Sequence, residues 1–347
     1  MVWPIQLHVW LPERSVPLFA CDSLSVNEEM SSTRSSLKAG LFAGLRSGWR
    51  GFLWMAEIVV PVSLAVALLQ WSGWLDILGA FFSPVMSLLR LPAEAAVPII
   101  TGMLVNIYAV LAAITVLPFS IPQMTLIAIF SLIAHNFIME GIVQHRSGIN
   151  VLKITAIRFV AAMLTVFVVS RFFAGTSMSV PVSVSAAAHS PFAGALRSWA
   201  ENTAWLLLKV FLIIMSIMVI LGISRTMGWV EWLLRIFRPV MSAFGLSERT
   251  TMMFVTGIVF GLLYGGATIV EEARNGTITR EDAERLHVSL SINHSVIEDP
   301  ALFAALGINV LWLWIPRLIA AIVAVHMFRM AAMLRRRFRP VARQVGS

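Results

Sequence analysis

The stretch Phe82-Ser83-Pro84-Val85-Met86-Ser87 returns later in the chain as Phe237-Arg238-Pro239-Val240-Met241-Ser242, 155 positions on. Other short matches surround it, at the same spacing and then at a spacing of 159. They are Gly73-Trp74 with Gly228-Trp229, Thr101-Gly102 with Thr256-Gly257, Gly148–Leu152 with Gly307–Leu311, and Arg158 with Arg317. An apolar unit that occurs twice is typical of membrane transport proteins built from repeats.

The composition indicates that lipid solvates most of the chain. Hydrophobic residues make up 58% of the 347 residues and charged residues only 13%, whereas a soluble domain is about half apolar and a quarter charged. Eight stretches are long enough to cross about 30 Å of hydrocarbon as helices. They are 51–71, 94–116, 122–143, 152–173, 203–224, 250–270, 286–306 and 309–331. Two shorter segments, 75–90 and 229–245, carry the repeated proline motif. The fold class is therefore an all-α polytopic membrane protein.

The repeats and the charges divide the chain into five regions. We expect an N-terminal tail (1–44), a first membrane repeat (45–173), an extracytoplasmic linker (174–195), a second membrane repeat (196–331) and a basic cytoplasmic tail (332–347). Met30 precedes a polar, serine-rich stretch that resembles an ordinary start. We hypothesise that residues 1–29 are an upstream mis-start or a disordered tail.

The distribution of basic residues predicts the orientation in the membrane. Arg46 and Arg50 precede the first span, and Arg335–Arg337 follow the last, so both termini are expected in the cytoplasm of an inner-membrane protein. A basic tail after a hydrophobic helix indicates contact with anionic lipid rather than with nucleic acid. If the short segments cross, each repeat has five crossings, and the second repeat is inverted relative to the first.

Ionisable side chains at membrane depth require a partner or a function, because burying them in lipid costs a few kcal/mol. The third span of the first repeat carries His135, Asn136 and Glu140, and the matching span carries Asn293, His294, Glu298 and Asp299. Aligning Glu140 with Glu298 pairs Asn136 with His294. Arg158 and Arg317 then become the expected counter-charges of Glu140 and Glu298. Two interpretations stay open: ion pairs that fix helix packing, or carboxylates that line a path for substrate or protons.

The dipeptides Thr101-Gly102 and Thr256-Gly257 lie in the middle of predicted spans. Glycine costs about 1 kcal/mol inside a helix, so its presence in both copies indicates close backbone approach or a break in the helix. Asn106 follows one turn later, and Tyr264 lies beside a glycine-rich face. Small residues alone predict only tight packing, whereas a broken helix near the midplane would offer a ligand site.

Several chemistries are not indicated. The sequence has no phosphate-binding loop, no His-Glu-x-x-His zinc pair and no Gly-x-Ser-x-Gly nucleophile elbow. Cys21 is the only cysteine, so the chain cannot form an internal disulfide. We therefore expect neither an enzyme nor a protein with a cofactor, and we assign no resident metal.

The stretch Leu91-Pro92-x5-Pro98-Ile99-Ile100-Thr101-Gly102-x3-Asn106-x2-Ala109-Val110 resembles the nucleoside-recognition, or Gate, domain. That domain occurs in spore-maturation proteins A and B and in the membrane part of B-type ferrous-iron permeases. It is more distantly related to concentrative nucleoside transporters. The chain is similar to a fusion of two such units. The resemblance implies a membrane role, and the domain's name implies nucleosides.

The chain departs from the iron permeases in one motif. They carry Gly-x-Gly-Cys-Asn-Val-Pro where this chain has Met103-Leu104-Val105-Asn106-Ile107-Tyr108, and it lacks their GTPase domain. The sequence predicts a transporter of a small molecule or ion, which could form a homo-oligomer. Its site would lie between the repeats. One alternative is a divalent-metal path that uses His135, His294 and Glu298, whose side chains are metal-ligand types. The other is a membrane scaffold that transports nothing.

Overall fold

The structure is a computed structural model that describes residues 26–173 and 191–337. Residues 1–25 of the hypothesised mis-start and residues 174–190 of the linker lie outside these ranges, whereas residues 26–29 are part of the first helix. Some side chains in the described helices are also outside the description. They belong to residues 26–36, 75–80, 225–226, 230–231, 260, 262–265, 267 and 335–337.

The described ranges fold into fourteen α-helices joined by short turns, with no strand among them. The helices are α1 (Val26–Trp71), α2 (Trp74–Leu88), α3 (Ala96–Leu104), α4 (Ile107–Val116), α5 (Ile121–Ala134), α6 (Phe137–Arg146), α7 (Val151–Phe172), α8 (Phe192–Thr226), α9 (Trp229–Phe237), α10 (Thr251–Phe260), α11 (Leu262–Arg274), α12 (Arg280–Ile292), α13 (Glu298–Ala304) and α14 (Val310–Arg337). The predicted all-α class is confirmed.

Five of the eight predicted spans coincide with stretches that are long and apolar enough to cross a membrane. They are Leu37–Trp71, Ile121–Arg146, Val151–Phe172, Phe192–Ser224 and Val310–Leu334. A sixth is possible if the bent pair Phe81–Leu88 and Ala93–Leu104, which meet at 92°, counts as one span. The chain is thus a multi-pass membrane protein, and the number of eight long helices stays a prediction.

Four predicted spans are interrupted near their middle, which corrects the expectation of continuous helices. The interruption between α3 and α4 is stabilised by Asn106, whose Oδ1 accepts hydrogen bonds from the backbone N–H groups of Tyr108 (3.0 Å) and Ala109 (3.1 Å). That side chain is a helix N-cap, a position where asparagine is favoured. Helices α10 and α11 separate at Gly261, whose φ of 82° favours glycine.

The other two interruptions contain residues in the left-handed region that are not glycine. Asn136 lies between α5 and α6 with φ 57°, and Ser295 lies between α12 and α13 with φ 46°. Such conformations cost of order 1–3 kcal/mol and persist only where surrounding contacts hold them. Each residue directly follows a buried histidine, His135 or His294, and Asn136 is itself one of the predicted site residues.

The short proline-containing segments differ from each other in length. Segment 75–90 forms the 15-residue helix α2, whereas segment 229–245 forms the nine-residue helix α9 followed by a 3₁₀ turn over Arg238–Val240. At 1.5 Å per residue, α9 reaches about 14 Å, which is less than half of the hydrocarbon thickness. α9 therefore cannot cross the membrane by itself.

Helices α1 and α8 pack against each other along their length in antiparallel directions. Near one end, the backbone of Gly44 approaches Met218 and that of Gly222 approaches Gly40. Near the other end, the indole Nε1 of Trp199 donates to Ser63 Oγ at 3.0 Å. The part of α1 that is long and apolar enough to span a membrane includes Leu37–Trp71, and the boundary at residue 44 stays a prediction.

Helices α7 and α14 are also antiparallel neighbours. The rings of Phe172 and Trp312 lie 5.9 Å apart, at the end of α7 and the start of α14. Lys153, near the start of α7, places its Nζ 4.2 Å from the ring of Phe328, late in α14. In an 18-residue apolar stretch of Ile121–Arg146, 67% of the residues are buried, against 22–28% in the other four spans, so this part of the chain lies at the centre of the protein.

Candidate functional site

Six ionisable side chains from both halves of the chain meet in the interior, beside the interruptions of α5–α6 and α12–α13. All are at most 6% exposed. They are His135 at the end of α5, Glu140 in α6, Arg158 in α7, His294 between α12 and α13, Asp299 in α13 and Arg317 in α14. We call this set the central cluster. Buried charges of this kind in a membrane protein mark substrate or ion paths or fixed ion pairs.

One predicted ion pair is present in the central cluster. Arg158 Nη2 lies 2.7 Å from Glu140 Oε1, and the two side chains are 1% and 3% exposed. The atoms are close but not aligned for a hydrogen bond, so the contact is an ion pair rather than a bidentate bridge. Arg158 also donates through Nε to the carbonyl of Ile133, at the end of α5. Arg158 thus ties α7 to both sides of the interruption between α5 and α6.

The second predicted ion pair, Glu298 with Arg317, is not formed. Within the described residues, no oxygen of Glu298 lies within 4 Å of Arg317. Arg317 instead donates to the carbonyls of Ile292 (3.3 Å) and His294 (2.8 Å). Glu298 accepts a hydrogen bond from the hydroxyl of Tyr108 at 2.8 Å. That bond joins α4 in the first half of the chain to α13 in the second.

The geometry also corrects the alignment of the two halves by one residue. His135 and His294, 159 positions apart, each place Nδ1 2.8 Å from the carbonyl four residues earlier, in Ser131 and Leu290 respectively. The next residue in each half has a positive φ, and residue 140 then corresponds to Asp299 rather than Glu298. The one-residue shift arises because two neighbouring acids, Glu298 and Asp299, both fit the sequence pattern.

The Thr-Gly dipeptides support the interruptions through their backbone. The carbonyl of Gly102 accepts a hydrogen bond from the N–H of Asn136 (2.8 Å), and the carbonyl of Gly257 accepts one from the N–H of Ser295 (3.3 Å). A Cβ on Gly102 would lie 2.4 Å from Val110 Cγ2. The carbonyls of both glycines thus bond to the residues that follow His135 and His294, and the breaks in their own spans lie a few residues later.

The remaining predicted site residues have local roles or lie outside the description. Thr101 and Thr256 donate their hydroxyls to carbonyls of their own helices, in Val97 (2.9 Å) and Met252 (2.7 Å). Asn106 is the cap of α4, and Asn293 is buried at the end of α12. The side chain of Tyr264 is outside the part of the chain that the structure describes.

The two histidines form the middle of the central cluster. Their ring centroids lie 5.0 Å apart. His294 Nε2 is 3.8 Å from Glu140 Oε1, and His135 Nε2 is 4.0 Å from Asp299 Oδ2. Each imidazole thus faces a carboxylate that belongs to the other half of the chain. A proton or a cation between these groups would be attracted by both the ring nitrogens and the carboxylates.

Two residues of the site, Asp299 and Tyr108, are not among the predicted site residues, although Asp299 is one of the ionisable residues that the sequence places at membrane depth. Arg317 lies 159 positions after Arg158, and the residue that lies 159 positions after Glu140 is Asp299. This spacing could have identified Asp299 as the counterpart of Glu140. No pattern in the sequence points to the contact between Tyr108 and Glu298, because it joins residues 190 positions apart.

The bond between Tyr108 and Glu298 gives a testable prediction. Changing Tyr108 to Phe should lower the free energy of unfolding by about 1.5 kcal/mol, since the carboxylate loses a charge-assisted hydrogen bond. Denaturation of the purified protein in mixed micelles measures the change. In a Glu298→Gln background the same substitution should cost less. An equal cost in both backgrounds would contradict the bond.

Residues 52–179 match the family model of the nucleoside-recognition domain, Gate. This part of the chain is similar to a Gate domain. The resemblance that the sequence indicates is thereby confirmed for these residues, which run from α1 through α7 and include His135, Glu140 and Arg158.

The chain is also similar over most of its length to the uncharacterized membrane protein YvoD of Bacillus subtilis (strain 168). The two are 29% identical over 288 residues, which cover 82% of this chain and 91% of that protein. No solved structure matches the chain. The comparisons and the apolar helices agree on a multi-pass membrane protein in which residues 52–179 are similar to a nucleoside-recognition domain.

Proposed function

We propose that this Gate-domain protein is a permease for a small solute, with its substrate site at the central cluster between two halves of the chain. The observation that carries the proposal is the position of the helix interruptions. Those between α5 and α6 and between α12 and α13 bring the paired histidines and carboxylates together in the protein interior. Interrupted helices with buried polar groups are the usual form of a substrate or ion site in secondary transporters.

Two antiparallel helix pairs support an inverted arrangement of repeats 45–173 and 196–331, the second being a further Gate-like unit. The repeated motifs make α8 the counterpart of α1 and α14 the counterpart of α7. Each helix packs antiparallel to its own counterpart, as the contacts of Ser63 with Trp199 and of Phe172 with Trp312 indicate. Two copies whose equivalent helices run in opposite directions have opposite topologies in the membrane.

The proposed orientation in an inner membrane has both termini in the cytoplasm. A reporter fused after Gly175, between α7 and α8, should then read as extracytoplasmic, because basic residues favour the cytoplasmic side. The matched control is a fusion after Gly276, between α11 and α12 in a loop rich in charges, which should read as cytoplasmic. A cytoplasmic readout after Gly175 would refute the inverted arrangement.

A ligand screen tests the permease itself. Purified protein in detergent would be heated with nucleosides, nucleobases, small organic acids or divalent metal ions. A ligand at a hundred times its dissociation constant stabilises the folded state by about 2.7 kcal/mol. We expect one chemical class to raise the unfolding temperature and Glu140→Gln to abolish the shift, and the same class should enter proteoliposomes. No shift and no uptake for any class would favour the scaffold.

A further inference from the structure

We propose that His135, His294 and Glu140 form a binding site for one divalent transition-metal ion. One ligand atom from each residue lies within 4.8 Å of the other two. The three side chains are 5%, 4% and 3% exposed, so a bound ion would be enclosed by protein. The inference names the ligand class of the proposed substrate site, and for its consequence in transport it rests on the proposed function.

The hydrogen bonds of the histidines prepare both rings for a metal. In each ring, Nδ1 lies 2.8 Å from a backbone carbonyl oxygen, that of Ser131 for His135 and that of Leu290 for His294. A carbonyl can only accept, so the proton of the neutral ring is on Nδ1 and the lone pair is on Nε2. Ligating histidines almost always donate their other N–H to a carbonyl or carboxylate in this way.

The carboxylate is also held in place. Arg158 Nη2 lies 2.7 Å from Glu140 Oε1 and orients the group through this ion pair, and neither carboxylate oxygen has a hydrogen-bonding partner in the described part of the protein. Without a cation, His294 Nε2 and Glu140 Oε1, 3.8 Å apart, would be two acceptors facing each other. A metal ion between them would replace this unfavourable contact with two bonds.

To hold one tetrahedral ion, the three ligand atoms would have to move closer together, by up to about 1.5 Å for a pair at the 4.8 Å limit. Zinc binds imidazole nitrogen at about 2.0–2.1 Å and carboxylate oxygen at about 2.0–2.2 Å, so two ligands of one tetrahedral ion are about 3.3 Å apart. The 3.8 Å between His294 Nε2 and Glu140 Oε1 would close by about half an ångström. Asp299, 4.0 Å from His135 Nε2, is close enough to join as a further oxygen ligand.

The donor set selects the class of metal. Two imidazole nitrogens and one carboxylate suit Zn²⁺, Co²⁺, Ni²⁺ or Fe²⁺, whereas Mg²⁺ and Ca²⁺ prefer oxygen ligands alone. The charges around the site also permit a cation. Arg158 and Arg317 are close to it, but Glu140, Asp299 and Glu298 contribute three carboxylates, so the site is not a region of excess positive charge.

Co²⁺ is the probe for the experiment, because its visible absorption reports both binding and ligand geometry. The full-length protein in detergent, cleared of metal, should bind one Co²⁺ per chain with the spectrum of a nitrogen- and oxygen-ligated ion, and excess Mg²⁺ should not displace it. His135→Ala and His294→Ala should each weaken Co²⁺ binding by about 100-fold or more. Loss of a residue that only hydrogen-bonds to a metal ligand already lowers metal affinity by about 10–100-fold, and these variants lose a ligand itself. If the alanine variants do not fold, the same measurement is made on His135→Gln and His294→Gln, which change the size of the side chain less.

The matched control is His287, another buried histidine in α12, 1% exposed and outside the cluster. His287→Ala should bind Co²⁺ as the unmodified protein does. The proposal is overturned if the folded protein takes up no Co²⁺, or if His287→Ala and His135→Ala weaken binding equally. Binding of Co²⁺ without uptake of Zn²⁺ into proteoliposomes would uphold the metal site and count against the permease. Uptake of another solute without any Co²⁺ binding would refute the metal site alone.

Discussion

Replacing Arg158 with leucine should lower the free energy of unfolding by about 3–5 kcal/mol, because Glu140 would be left as a buried charge without its partner. The side chain of Arg158 is 1% exposed and its guanidinium also donates to the carbonyl of Ile133, so bulk water has little access to its contacts. The largest part of the loss is the desolvation cost of the remaining carboxylate rather than the strength of the pair itself.

A double substitution separates these two contributions. Glu140→Gln combined with Arg158→Leu removes both charges and should recover most of the stability, since neutral groups are far cheaper to bury. Denaturation in mixed micelles measures each variant. The control is Arg197→Leu, whose ion pair with Glu201 is exposed and should leave the unfolding temperature unchanged. A double variant as unstable as Arg158→Leu alone would show that Arg158 acts through packing and not through Glu140.

The double variant also tests whether the central cluster binds a ligand or only stabilises the packing of the helices. If it folds but no longer responds to any ligand class, the carboxylate is required for binding in addition to packing. If it folds and still binds, Glu140 serves only to fix α6 against α7, and the scaffold interpretation of the pair is correct for this half of the chain.

The pair of Glu140 and Arg158 could be predicted from the sequence, but its counterpart could not. The sequence shows that the spacing between matched motifs changes from 155 to 159 between Gly257 and Gly307. Two adjacent acids, Glu298 and Asp299, lie in that region. Which of them faces the cluster depends on the residue at which α13 begins after the interruption, and the interruption is set by contacts with α10.

The helix interruptions could not be predicted from the hydropathy pattern either, because they also depend on contacts between residues that are distant in the sequence. Apolar residues on both sides of Asn106 and His135 satisfy the pattern of a continuous span. A broken helix leaves backbone groups that lipid cannot satisfy, so it forms only where other protein groups bond to them. Here the carbonyl of Gly102 accepts a hydrogen bond from the N–H of Asn136, which is 34 positions away in the sequence. A window that follows consecutive residues cannot detect such a contact.

Changing Gly222 to Ala should destabilise the protein by about 2–3 kcal/mol, at the upper end of what overpacking costs. The new Cβ would lie 2.5 Å from the carbonyl oxygen of Gly40 and 3.0 Å from the Cα and N of Gly44. These are backbone atoms of α1, so no side-chain rotation can relieve the contact. The helices α1 and α8 would have to separate, and Gly40-x3-Gly44 is a small-residue spacing typical of such close helix pairs.

The matched control lies in the same helix pair. A Cβ on Gly51 would meet Ile214 Cγ2 at 3.8 Å, an ordinary contact, so Gly51→Ala should be neutral or stabilising by up to about 1 kcal/mol through its better helix propensity. Opposite signs for two identical substitutions would establish the close antiparallel contact of α1 with α8. Equal effects would contradict it.

Because α1 and α8 belong to different halves of the chain, Gly222→Ala should also displace the halves from each other and weaken ligand binding at the central cluster between them. Gly51→Ala should leave that binding unchanged.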